Sequence, residues 1–140
     1  SMTSITFYSH ALDRFQIAIR VAAKAVKRKM KVSILTCTDM ESNQLSDALW
    51  AASDTSFLPN CRSDDQNVAL TPIAIDYDAK ALRKEGLLIN LTNDIPPFFS
   101  TFERLIEIVC QEPIVNIPAR KRYMHYRDRG YPIQSFSLKK

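Results

Sequence analysis

Apolar residues along this chain fall into two patterns, short continuous runs and positions recurring three and four apart. Ile5 to Tyr8 is a short run that predicts a first strand. From Ala11 onward, Leu12, Phe15, Ile19, Ala22, Ala23 and Val26 recur at helical spacing. The basic turn Lys27 to Lys29 marks the end of that helix, because cations meet its free carbonyls favourably. Val32 to Thr36 (VSILT) is largely apolar, the mark of a strand covered on both faces. Asp39 is placed to cap a second helix through Leu45, Ala48 and Leu49 to about Ala52, its carboxylate accepting free first-turn N–H groups. Strand, helix, strand, helix is the opening of a parallel α/β sheet.

Between Asp54 and Thr71 the pattern gives way to a polar stretch, read as a long surface loop. Ile73 to Ile75 and Leu87 to Leu91 are two further strands, with a short connection over Ala79 to Glu85. Pro96 and Pro97 remove two backbone donors, so Asp94 to Phe99 neither extends a strand nor enters a helix. Phe102 to Val109 fits helix or strand; its β-branched end and its place before Pro113 favour the strand. A last helix is expected from Ile117, with Asn116 as cap and Pro118 in the first turn, stopping at Gly130. Without repeats or linkers, residues 1–140 form one α/β domain in this reading.

Composition narrows what such a sheet can do. The chain has only two glycines, Gly86 and Gly130, so neither Gly-x-Gly-x-x-Gly nor Gly-x-x-x-x-Gly-Lys-Ser/Thr can be written. Those loops bring backbone N–H groups onto a phosphate through positions that glycine fills, and no nucleotide or other cofactor is expected. No Gly-x-Ser-x-Gly elbow is present, which argues against a hydrolase. His10 and His125 stand far apart without metal-ligand spacing, so no metal site is expected. Cys37, Cys61 and Cys110 are widely spaced and odd in number, the usage of ordinary thiols in a reducing compartment. Cys37 and Cys110, at strand ends, are expected to be buried and inert. No apolar run approaches the length of a membrane span and no signal-peptide order is present, so a cytoplasmic protein without a membrane partner is expected. Ser1 before Met2 reads as a cloning remnant.

The net charge of +4 is unevenly placed. Residues 119–140 hold seven cations against Asp128, a net +6, and the remainder sums to −2. A basic C-terminal segment points to an acidic partner, nucleic acid or peptide. Within the last helix Arg120, Tyr123 and Arg127 share one face, and Tyr131 stands where it can close the row. Two guanidinium groups beside a phenol suit carboxylates or phosphates. The alternative is a solvated basic helix whose tyrosines pack on the sheet. Trp50, with Phe57 and Leu58, surrounds the start of the polar loop, either plugging the core edge or forming an exposed patch with aromatic anchors.

Ala48-Leu49-Trp50, Ser56-Phe57-Leu58-Pro59, Leu88-Ile89-Asn90-Leu91 before a proline and aromatics, and Arg120-Lys121-Arg122-Tyr123 through Tyr126-Arg127 to Gly130-Tyr131 form an ordered set. In order and spacing this set resembles the chi subunit family of bacterial DNA polymerase III holoenzyme. The resemblance implies a three-layer, Rossmann-like domain with a mostly parallel central sheet and no nucleotide site. It implies an accessory subunit with no activity of its own, an adaptor between two partners. One is the psi subunit of the clamp loader, met by the aromatic position Phe57 with Trp50 and Leu58 as neighbours. The other is the acidic C-terminal tail of single-stranded DNA-binding protein, met by Arg120 and Tyr123 with Ser135 nearby; DNA is reached only indirectly. Met124 stands where better-known members carry lysine, so either Arg127, Lys121 or His125 shares that role or the tail is held with lower affinity. The competing reading is a basic module that binds single-stranded nucleic acid without a protein partner, its tyrosines stacking on bases.

Overall fold

The computed structural model describes residues 2–52 and 59–139. Their order is β1 (Ser4–Ser9), α1 (Arg14–Lys27), β2 (Val32–Leu35), α2 (Asp39–Trp50), β3 (Asn60–Arg62), β4 (Ile73–Asp76), β5 (Leu87–Asn90), β6 (Arg104–Ile108), α3 (Pro113–Asp128) and β7 (Ile133–Ser137). The strands form one sheet in the order β3-β4-β2-β5-β6-β1-β7, and every pairing is parallel. This is the Rossmann-like α/β architecture expected.

Side-chain alternation divides the interior in two. On one face Ile34, Ile75, Ile89 and Ile106 meet Ala18, Ala22 and Ala25 of α1 and Leu45 and Leu49 of α2. On the other, Ile5, Phe7, Leu88 and Leu105 meet Val115, Ala119 and Tyr126 of α3, with Phe99 and Phe102 filling in from the proline-rich connection. The central strands β2, β4 and β5 are buried throughout, as expected for strands covered on both faces, with α1 and α2 on one side and the connection at Leu82 and Arg83 over β2 on the other. Gly86 has φ of +77°, and a Cβ there would lie 2.3 Å from the Lys31 carbonyl oxygen. Only glycine lets β5 start so close to the turn before β2.

Several boundaries differ from expectation. Leu12 lies before α1, fully exposed, because Asp13 caps the helix through Phe15 N and Gln16 N. The cap of α2 is Thr38 rather than Asp39. Thr38 Oγ1 accepts Glu41 N at 3.1 Å while Glu41 Oε1 accepts Cys37 N at 2.9 Å, a capping-box variant in which the returning carboxylate reaches one residue further back. The polar stretch read wholly as loop contains β3, an edge strand that needs no apolar run because it pairs on one side only. Arg62 holds it through Asp39 at 2.7 Å and the Ile75 carbonyl at 3.2 Å. Finally, α3 starts at Pro113 rather than Ile117, so Asn116 is not its cap and Pro118 lies inside. Pro118 removes the donor opposite the carbonyl of Ile114, which is largely exposed and open to water. The helix ends at Asp128, with Gly130 beyond the cap at φ of +83°, the left-handed position expected of it.

Candidate functional site

The orientation of α3 is set from inside. β6 reads as an apolar run interrupted by Glu107, whose side chain points toward α3 and is fully buried. Arg122 meets it side-on, Nε to Oε2 at 3.1 Å and Nη2 to Oε1 at 3.0 Å. Tyr126 donates its hydroxyl to Oε2 at 2.8 Å, and Asn90 on the neighbouring strand donates to both oxygens at 3.1 and 3.0 Å. All four residues are buried. Burial pushes the Glu107 carboxyl above its ordinary range, opposed by the Arg122 charge and by the hydrogen bonds it accepts. Burial and the adjacent Glu107 charge push the Tyr126 phenol far up.

Because Arg122 and Tyr126 occupy the inward face, the row expected to meet a partner is turned toward the edge of the sheet. Arg120 is exposed. Tyr123 is half-buried, its ring edge-on to Phe7 of β1 with centroids 5.3 Å apart. Phe7 is in register with Ser135 on β7, so Ser135 lies on the same face of the sheet, solvent-exposed beside that ring pair. The structure therefore gathers Tyr123 and Ser135 around Phe7, with Arg120 one helical turn from Tyr123. Arg127 is exposed but leans on its neighbour Asp128 at 3.2 Å. Tyr131 does not close the row; it packs against Phe99, centroids 5.2 Å apart. Met124 is half-exposed.

Trp50 is the last residue of α2 and is 48% exposed, whereas Phe57 and Leu58 lie outside the described residues. Cys37 is exposed and Cys110 half-buried, against the expectation that strand-end thiols are enclosed; each sits in the connection beyond its strand. Partial burial and Glu41 raise the Cys37 thiol's pKa, which keeps it protonated. Among the described residues no His, Cys, Asp and Glu side chains converge as a metal site. No described helix is long and apolar enough to cross a membrane.

In open parallel sheets, nucleotides bind at helix N-termini along the carboxyl edge. Here Asp13 accepts Phe15 N and Gln16 N in the first turn of α1, and Thr38 accepts Glu41 N in that of α2, so side-chain oxygens occupy part of both helix ends. Sequence reasoning missed the Glu107, Arg122, Tyr126 and Asn90 cluster. Its signal was a carboxylate inside the apolar run Leu105 to Val109, a place where a charge needs a partner.

The fold and this surface define a parallel Rossmann-like α/β domain that carries a cation-flanked aromatic face at the edge of its sheet. Comparison with known proteins gives the family. The family described as DNA polymerase III chi subunit, HolC, matches residues 2–134. The chain is 31% identical to DNA polymerase III subunit chi of Pseudomonas aeruginosa over 141 residues, 98% of both chains. It is 29% identical to the Haemophilus influenzae subunit chi over 86% of this chain and 84% of that one. With the Escherichia coli subunit it shares 25% identity over 89% and 85% respectively. The chain belongs to the chi subunit family of DNA polymerase III, and its setting is DNA replication.

Proposed function

We propose that this chain is a single-domain, non-catalytic cytoplasmic adaptor that joins the clamp loader, through psi, to the acidic C-terminal tail of single-stranded DNA-binding protein. The observation that carries the reading is the grouping of Tyr123 and Ser135 around Phe7 with exposed Arg120 one turn away. The tail ends in an aromatic residue with a free carboxylate. Tyr123 and Phe7 supply an apolar floor for the ring, while Arg120, with Arg127 beyond it, supplies charge-assisted hydrogen bonds to the carboxylates. Trp50, the last residue of α2, forms the psi contact in this reading together with Phe57 and Leu58.

The chain should capture intact single-stranded DNA-binding protein in a pull-down and lose it when the partner lacks its last residues; equal capture of the truncated partner would refute the tail reading. Trp50→Ala should reduce co-purification of psi and leave tail capture intact. The nucleic-acid reading of the C-terminal helix is the weaker one. Tyr126 is fully buried on Glu107 and Tyr131 packs against Phe99, so Tyr123 beside Phe7 is the ring left to meet a partner, and a single ring does not make a stacking row for successive bases.

A further inference from the structure

Residues 14–31 contain seven cations and no acid, a denser positive segment than the C-terminal one. Arg20, Lys24 and Arg28 follow one another at intervals of four, so they line one side of α1 and its cap. All three are exposed, and none has an ion-pair or hydrogen-bond partner among the described residues. Attraction to the helix C-terminus accounts for cations in the last turn. It accounts neither for Arg20, two turns earlier, nor for Arg104 on the sheet opposite.

These four cations rim a groove of about 320 Å³ between α1 and the sheet. Its walls include Ile17, Val21, Leu87 and Ile106, and no acidic residue lines it among those described. Tyr8 and Leu138 bound its far end. There Tyr8 stacks on Phe136 with centroids 5.8 Å apart and planes 26° from parallel, and Phe136 is 48% exposed on the edge strand β7. The helix wall from Ile17 to Arg28 extends roughly 16 Å at about 1.5 Å per residue.

We propose that this groove binds single-stranded nucleic acid, on the opposite face of the sheet from α3. The cations step along the wall by about 6 Å, of the order of the distance between successive phosphates in an extended strand. The apolar floor and the open face of Phe136 receive bases through their π-faces, the sequence-neutral mode of single-strand binding. A duplex has no unstacked bases to offer them. The proposal is independent of tail capture: an adaptor holding the tail with α3 would present α1 to the strand that its partner coats.

Fluorescence anisotropy of fluorescein-labelled dT20 with the full chain tests this. At about 50 mM salt dT20 should bind, with an affinity that falls steeply as salt rises. The Lys24→Glu, Arg28→Glu double variant should bind at least tenfold more weakly, with a log–log salt slope shallower by about 1.4, the share of two phosphates on a single strand. Lys121→Glu with Arg129→Glu, the same charge change on α3 and its cap, should stay within twofold of the parent. Phe136→Ala should erase most of the preference for dT20 over an abasic 20-mer, a readout that does not depend on the charge variants folding. Absence of dT20 binding, equal loss in both double variants, or displacement of dT20 by poly-glutamate at equal charge would overturn the proposal, the last assigning the groove to an acidic protein. Binding of a tail peptide, read separately, distinguishes failure here from failure of the adaptor reading.

Discussion

The helices α1 and α3 are both basic, yet they use their charge differently. In α3, Arg122 is sequestered with Glu107 and Arg127 leans on Asp128, so much of the charge holds the helix in place or is locally offset. In α1 and its cap, Arg20, Lys24 and Arg28 all face water without an acidic partner among the described residues. Charge counted along a sequence is therefore not charge available to a ligand. Residues 14–31 carry +7 and residues 119–140 carry +6 by count, and the pairing of Arg122 and Arg127 widens that small difference into a large one.

The comparison predicts a graded series in chemical denaturation. Arg122→Ala leaves Glu107 charged and buried without its counter-ion and should cost about 3–5 kcal/mol; a loss under about 1 kcal/mol would mean that the cluster does not hold α3. Tyr126→Phe removes one hydrogen bond to a charged group and should cost about 1.5–3 kcal/mol. Arg127→Ala breaks only an exposed pair with an adjacent residue and should cost about 0–1 kcal/mol. Lys24→Ala, on the unpaired wall of α1, should stay within about 0.5 kcal/mol of the parent. If Lys24→Ala proved as costly as Arg122→Ala, the distinction between internal and outward charge would fail.

Tyr126 gives the comparison a pH signature. A folded-state pKa raised above the unfolded value makes a contribution that is complete below about pH 10, the ordinary tyrosine range, and is lost as pH rises beyond it. Ultraviolet titration of the native parent should therefore ionise no more tyrosines before alkaline unfolding than Tyr126→Phe does. One additional tyrosine titrating near pH 10 in the native parent would show the phenol to be free of Glu107.

The central strands were legible because burial on both faces leaves largely apolar runs such as Val32 to Leu35 and Leu87 to Leu91, broken only by Ser33 and Asn90. The edge strand β3 was not, since a strand paired on one side can be built from Asn60, Cys61 and Arg62, whose side chains read as loop. The start of α3 was misplaced because two prolines compete for the first turn; Pro113 takes it and Pro118 is tolerated within the helix. At the candidate site, helical spacing placed Arg120, Tyr123 and Arg127 together, but it could not show which face turned inward. Glu107 decides that from a strand fifteen residues before Arg122. Tyr131 fell outside the row for a related reason: Phe99, in a distant connection, claims its ring.

The adaptor reading rests on Arg120, so the most direct measurement is isothermal calorimetry of a peptide carrying the acidic C-terminal residues of single-stranded DNA-binding protein. The parent chain should bind it, more weakly as salt screens an exposed site. Arg120→Ala, with an unchanged circular dichroism spectrum, should lose at least tenfold in affinity. Parent-like affinity in that variant would place the tail elsewhere and contradict the account.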